Sequence, residues 1–358
     1  MAVYTSINDP SVHFQNMLYT GNAGANSIVN TGNSNLQPDW LWLKARDEAQ
    51  PGTLRDSSRG TNKFVYSSSA NSEGTNTYLT SFNADGFSLN ATDNEVNGNG
   101  NIYVSWQWKG TGGTTASNSN GSITSTVQAN TAAGFSIITY TATGSNATIG
   151  HGLSQAPELI ITKGRSDNHS WIVGCTHDSP DLSKVFVMNA TDASVTATGN
   201  HRGIAPTSTV YSIGTSGGNN STGGGGLYVA YAFHSVQGYS DFGTYSGNGD
   251  SNGPFIYTGF KPAWVLIKRR DSTGNWYIYD TERNGASGPN TNQAHRILYA
   301  NDTSGEVNNV DRGIDMVANG FKIRNTLGDT NNSSGTYMYW SFASSPFVSS
   351  AGVPTTAR

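Results

Sequence analysis

Five carboxylates stand out as groups that could do chemistry: Asp56, Asp178, Asp280, Glu282 and Glu306. Two acids about 5 to 10 Å apart are what glycoside cleavage requires, so a polysaccharide-cleaving site is the sharpest enzymatic reading. Against it, Asp56-Ser57, Asp178-Ser179 and Asp280-Thr281 recur as an aspartate followed by a hydroxyl residue. A catalytic pair is rarely copied along with its scaffold, whereas a turn aspartate that binds local backbone is needed in every copy. The repeated aspartates are therefore read as structural, and no catalytic residue is assigned.

Other constellations are weaker. Lys44/Arg46, Lys163/Arg165 and Lys268/Arg270 form a repeated Lys-x-Arg. Guanidinium groups bind carboxylates well, so these could hold an anionic glycan, but their triplication points to pairing with the repeated aspartate. His151, His169, His177 and His201 fall within one stretch, yet with Asp178 and Asp181 they match no standard zinc spacing, so no metal is expected. The loop Asn248-Gly249-Asp250-Ser251-Asn252 lacks the ligand spacing of a calcium loop. Gly223 to Gly226 is not a phosphate loop, since no Lys-Ser/Thr follows. Cys175, the sole cysteine, follows the apolar Trp171-Ile172-Val173-Gly174 and reads as a buried, inert thiol. With no Gly-x-Ser-x-Gly elbow, nucleophilic catalysis has no candidate, and no cofactor is implied.

The elements that would carry these residues are repeated. Gln37-Pro38-Asp39-Trp40-Leu41-Trp42-Leu43-Lys44-Ala45-Arg46 returns as Ala156-Pro157-Glu158-Leu159-Ile160-Ile161-Thr162-Lys163-Gly164-Arg165, and again from Lys261-Pro262-Ala263-Trp264 to Arg270. The prolines lie 119 and 105 positions apart, about the length of a small β-sandwich. Ala84-Asp85-Gly86-Phe87 and Ala318-Asn319-Gly320-Phe321 predict tight hairpins, with Ser208 to Ile213 in their place in the middle copy. Each copy closes on an aromatic strand, at Ile102–Trp108, Leu227–Phe233 and from Thr336 to Phe342, whose alternation puts Val104, Trp106 and Trp108 on one face. Trp40, Trp42, Trp106, Trp108, Trp264 and Trp340 are expected in the core.

Composition agrees. Charged residues are 12% of the 358, and 43 glycines accompany abundant Asn, Ser and Thr. Good helix formers are scarce while strand-favouring Thr, Val, Ile, Tyr, Phe and Trp are plentiful. A net charge of -4 without a basic cluster argues against a nucleic-acid partner. One cysteine allows no intrachain disulfide. The start at Met1-Ala2-Val3-Tyr4-Thr5-Ser6 is unlike a secretory signal, and no apolar run is long enough to insert in a membrane.

The motifs Gln37-Pro38-Asp39-Trp40, Ala133-Gly134-Phe135-Ser136-Ile137 and Trp106-Gln107-Trp108-Lys109, with Pro346-Phe347-Val348, Gly352-Val353-Pro354 and the terminal Ala357-Arg358, resemble structural proteins of marine podoviruses, including cyanophages. The middle copy departs from the pattern, with Tyr231 and Phe233 where tryptophans are usual. The resemblance implies a virion component, a tail fibre, receptor-binding or surface decoration protein, built of concanavalin-like or SPRY-like sandwiches and made in the host cytoplasm. It supplies no catalytic residue.

The expectation is an all-β chain of three tandem, related antiparallel β-sandwich modules of jelly-roll or concanavalin-like type. Residues 1–110 form module one, 111–237 a low-complexity linker and module two, and 238–358 module three with a C-terminal arm. The modules are expected in series, with a flexible junction at Gly110 to Asn120 and a tight one at Gln237-Gly238. The first dozen residues and the last, from Pro346, are candidate arms for a neighbouring subunit. Expected partners are other virion proteins of tail or capsid, further copies in a homotrimer, and host-surface polysaccharide. Function is expected to be attachment without catalysis. A capsid-stabilising decoration protein is the alternative, and a depolymerase a third reading.

Overall fold

The computed structural model describes residues 5–221, 223–284 and 292–355. Met1 to Tyr4 and the terminal Ala357-Arg358, which bear on the leader and family readings, lie outside the described residues.

Nearly all regular structure is antiparallel strand, and one strand order occurs three times. In module one the main sheet runs Phe14–Thr20, Ile102–Trp108, Trp40–Ala45, Thr53–Asp56, Lys63–Tyr66 and Gly74–Thr75. Module three repeats it with Ser240–Ser246, Thr336–Pro346, Phe260–Arg269, Trp276–Asp280, Arg296–Tyr299 and Val307–Asn308. Module two repeats it from Phe135–Thr141 to Val195–Thr196, and adds Ala116–Asn118 and Ser125–Asn130 outside its first strand. A smaller sheet backs each main one: Ala25–Ile28 with Phe87–Asn90 in module one, Ala147–Gly150 with Val210–Ile213 in module two, and Phe255–Tyr257 with Gly320–Ile323 in module three.

The proline-started strands are buried on both faces, which explains their unbroken apolar run. Alternation sends successive side chains to different cores. Trp40 and Trp42, Leu159 and Ile161, and Trp264 and Leu266 enter one common core. Leu41 and Leu43, Ile160, and Val265 and Ile267 enter three separate ones, each between a main sheet and its small partner. Gly86 and Gly320 hold that backing sheet close. A Cβ on either would lie 2.0 Å from the carbonyl oxygen of Ile28 or Ile256.

Instead of standing in series, the modules close a ring around the common core. Ring centroids of Trp40 and Tyr231 are 4.4 Å apart between modules one and two, those of Phe233 and Phe342 5.7 Å between two and three, and those of Trp108 and Trp264 5.8 Å between three and one. All six tryptophans expected inside are buried. Such aromatic pairs add about 0.5 to 1.5 kcal/mol each beyond the area they bury, and a main sheet that carried Trp40, Trp42, Trp106 and Trp108 alone would expose them.

The junction expected to be flexible is held. The buried carboxylate of Asp39 accepts from the backbone N–H of Gly110 (2.7 Å), Gly112 (2.9 Å) and Gly113 (2.8 Å) and from Ser57 Oγ (2.6 Å). Glycine permits the tight turn, with φ of 69° at Gly112 and 81° at Gly113. The expected arms meet each other: Asn8 Nδ2 donates to Ser350 Oγ (2.7 Å), and Ser350 N donates to Asn8 Oδ1 (2.8 Å).

Candidate binding site at the module junctions

Sheet register fixes which residues correspond. Trp40 faces Asp56, Leu159 faces Cys175 and Trp264 faces Asp280. The position of Asp56 and Asp280 is thus taken in module two by Cys175, and Asp178 falls three residues later, where the other modules have Arg59 and Arg283. The sequence reading that made Asp178 the third copy is corrected: a loop aspartate followed by Ser looks the same in one dimension, and only the ladder separates them.

Two junctions carry the same chain of charges. Arg46 of module one binds Glu306 of module three (2.9 Å), which also binds Arg283 (3.4 Å), which binds Asp280 (2.6 Å). Trp106 Nε1 of module one donates back to Asp280 (2.9 Å). Likewise Arg165 of module two binds Glu73 of module one (2.8 Å), Glu73 binds Arg59 (2.9 Å), Arg59 binds Asp56 (2.5 Å), and Tyr231 Oη of module two donates to Asp56 (2.8 Å). Each chain has two acids and two arginines in series, and a third cation flanks the glutamate: Arg296 binds Glu306 (2.8 Å) and Lys63 lies 3.9 Å from Glu73. Burial opposes ionisation of Glu73 and Glu306, but the arginine bonds outweigh it and hold both carboxyls below their ordinary range.

The third junction is shortened to one arginine–aspartate pair. Arg270 of module three binds Asp178 directly (2.5 Å), while Ser194 stands where the others have Glu73 and Glu306. Ser194 N still donates to Arg270 O (3.1 Å), as Glu73 N does to Arg165 O and Glu306 N to Arg46 O. With Cys175 in place of aspartate, Trp340 Nε1 has no acceptor among the described residues. Burial pushes the Cys175 thiol up to about 11, which leaves it unreactive.

The repeated Lys-x-Arg therefore binds mainly across modules and not to its own repeated aspartate. Its lysines cap carbonyls of the next module: Lys44 Nζ reaches Thr303 O (2.9 Å), Lys163 Nζ Ala70 O (2.8 Å) and Lys268 Nζ Thr191 O (3.0 Å). Burial lowers all three ammonium groups to about 8.

The histidines are dispersed. His201 is buried with Nδ1 near Ser212 O, His151 Nε2 lies near Thr207 O, and burial lowers both to about 4. His177 is 3.8 Å from Glu158, whose bond raises it. No group of three metal-binding side chains occurs among the described residues. In the loop at Asn248, the Asp250 carboxylate accepts from the backbone N–H of Asn252 in a local turn (2.7 Å), and its carbonyl accepts from Asn331 Nδ2 (2.7 Å). Glu282, unlike the other acids, is exposed and borders an open cleft.

That cleft is one of two in equivalent places, each between the first strand of one module and the end of the closing strand of the next. The first, about 160 Å³, lies between modules one and three and is lined by Gln15, Asn16, Thr31, Glu282 and Ser344. The second, about 380 Å³, lies between modules three and two, with Ser240, Asp241, Tyr257, Thr258 and Ser235. Ser344 and Ser235 both sit two residues past the aromatic that faces the proline-started strand, Phe342 or Phe233. At the remaining junction the extra strand Ser125–Asn130 fills the place: Gln128 Nε2 donates to Ser57 Oγ (2.9 Å) and Ser58 Oγ (3.0 Å), and its Oε1 accepts from Thr111 N (2.9 Å).

Residues 9–346 match the family described as "Domain of unknown function (DUF7483)". The chain belongs to that family. The DUF7483 match begins just before the first strand of module one and ends at Pro346, the last residue of the closing strand of module three, so the whole ring is one family unit. No curated protein and no solved structure matches the chain.

The charge chains of the DUF7483 unit had a sequence signal that the repeat motifs obscured. Asp56-x-x-Arg59 and Asp280-x-x-Arg283 share a spacing, and Glu73 and Glu306 each stand next to a two-residue strand. The clefts had none, because they exist only where modules meet.

Proposed function

We propose that the chain is a non-catalytic attachment protein of a bacteriophage particle, tail-associated or at the particle surface, which displays polar loops to host-surface glycans. The observation that carries the reading is the use made of the charged side chains. Of the five acids open to a glycan-cleaving enzyme only Glu282 is free, its carboxyl raised by partial burial; Asp56, Asp178, Asp280 and Glu306, one of which would have to be its partner, are each tied to arginine and buried or nearly so. A general acid needs a free carboxyl with a raised pKa beside its substrate, and these serve as struts. What remains outward is hydroxyl and amide surface on a rigid frame, suited to many weak contacts that combine when copies share one particle. The motifs that resemble podovirus structural proteins support a virion setting for such a frame.

A capsid decoration protein is the second reading, favoured by the ring itself. One chain supplies three similar modules about a common core, a shape that suits a three-fold site on a shell. A homotrimer of such chains would repeat that arrangement around a further axis, and native mass reads it directly.

Peptide mass fingerprinting of purified particles, with antibody labelling in electron micrographs, tests the proposal. The chain is expected in intact particles with label on the tail or outer surface, and purified protein is expected to release no reducing ends from surface polysaccharide. Absence from particles, or reducing-end release abolished by Glu282→Gln, would overturn it.

A further inference from the structure

We propose that the cleft between modules three and two binds a neutral polysaccharide strand, with one sugar ring stacked on Tyr257 and its hydroxyls held by Asp241 and Gln237. The proposal rests on the adhesin reading and names a site and a ligand class for it.

Three observations converge. Tyr257 is 62% exposed although it belongs to a regular strand, and Phe255, two residues earlier, is 47% exposed while Ile256 between them is buried. Alternation puts both rings on one face about 7 Å apart, along the outer edge of the small sheet, where Phe255–Tyr257 pairs only with Gly320–Ile323. Two exposed aromatic rings in line on a sheet edge make a platform for the apolar faces of successive sugar rings. In module one the residue corresponding to Tyr257 is Val29, so packing of the repeat does not require an aromatic here.

Beside that platform lies a cavity of about 380 Å³ walled by Asp241, Gln237, Ser235 and Thr258 together with the apolar Phe347 and Val348. This is the size and mixture of a small-ligand site. Asp241 is fixed in orientation by the hydroxyl of Tyr339, so its carboxylate is set in place before a ligand arrives. No lysine or arginine lines the cleft. His177, the imidazole whose charge reaches Asp241, is also engaged by Glu158, so an anionic sugar would meet two carboxylates that share one imidazole, which selects neutral glycans.

The chain shows what the corresponding place accepts. At the junction of modules two and one it is filled by the Gln128 amide, which donates to two serine hydroxyls and accepts from a backbone N–H. The place is built for an uncharged group that both donates and accepts hydrogen bonds, as sugar hydroxyls do.

Saturation-transfer NMR of the full chain with maltohexaose, cellohexaose and laminarihexaose is the test. At least one is expected to bind, with transfer concentrated on the protons of one ring face. Tyr257→Ala should weaken that binding at least tenfold, Phe255→Ala about threefold, and Asp241→Ala at least fivefold, while Tyr257→Phe and Lys184→Gln, an exposed change outside both clefts, retain it. Both aromatics are exposed, so circular dichroism of their variants should match the parent. Binding by none of the three, or binding undiminished in Tyr257→Ala, overturns the proposal. Particle adhesion that survives Tyr257→Ala sinks this site and leaves the attachment reading standing. Sugar binding by a chain absent from particles sinks the attachment reading and leaves this site.

Discussion

Cys175 stands in the sheet of module two where Asp56 stands in module one, each facing the first residue of the buried proline-started strand. Around Asp56 the junction holds two acids and two arginines. Around Cys175 it holds the single pair of Arg270 and Asp178, with His177 and Glu158 beside them. Both arrangements pair their buried charges, because a charge buried at a junction is tolerated only when paired.

A transplant follows from this correspondence. Cys175→Asp alone places an unpaired carboxylate beside Asp178 and should destabilise the protein by about 3 kcal/mol. Adding Asp178→Arg and Ser194→Glu rebuilds the charge chain of the other junctions, gives Trp340 Nε1 an acceptor, and should recover at least half of the loss. Urea midpoints of the single and triple variants read this.

Gly52 and Trp42 form a second exchange. Trp171 and Trp276 occupy the position of Gly52 in the other modules and donate Nε1 to Tyr66 O (2.7 Å) and Ala190 O (3.0 Å) across a junction. In module one Trp42 takes that space, and a Cβ on Gly52 would lie 2.7 Å from its Nε1. Gly52→Trp should cost about 3 kcal/mol by overpacking, and Gly52→Trp with Trp42→Leu should return most of it. Thermal melting of the two variants distinguishes the outcomes.

Acid should destabilise the fold in two ranges. His151 and His201 are lowered to about 4, against about 6.5 in an unfolded chain. Between those values the unfolded state binds more protons, so stability is full above about 6.5 and falls as pH drops toward 4. Glu73 and Glu306 are held below their ordinary range. Their contribution is present above the unfolded carboxyl value of about 4.3 and is lost only as pH falls further. Urea midpoints should hold from pH 7.5 to about 6.5 and fall from there to pH 3.5, and His201→Gln should flatten the upper part of that fall.

Asp39 ties down the segment that enters module two. Asp39→Asn removes the charge that three backbone N–H groups share and should open residues 110–113 to cleavage while the ring stays closed. Limited proteolysis is expected to nick there at least tenfold faster than in the parent.

The repeat, the strands and the buried tryptophans were legible in the sequence because each is a local pattern. Period-two alternation in Val104-Ser105-Trp106-Gln107-Trp108 marks one apolar face, and the proline motif marks the copies. The closing of the ring was hidden, since nothing local says that Trp40 meets Tyr231, nearly two hundred residues on. Low complexity at Gly110 to Asn120 suggested freedom, and Asp39, far away in the chain, removes it. Asp178 was assigned to the wrong place in the repeat because aspartate followed by serine is common in turns, while the ladder that places Cys175 opposite Leu159 is a property of the folded sheet. The clefts belong to pairs of modules, and no single stretch of sequence contains one.

Scanning calorimetry of the full chain tests most directly whether three modules share one core. A common core makes unfolding of one module expose the tryptophans of the others, so the account predicts one endotherm with calorimetric and van't Hoff enthalpies about equal. Three resolved endotherms, or a calorimetric enthalpy about three times the van't Hoff value, would mean that the modules unfold independently and would contradict it.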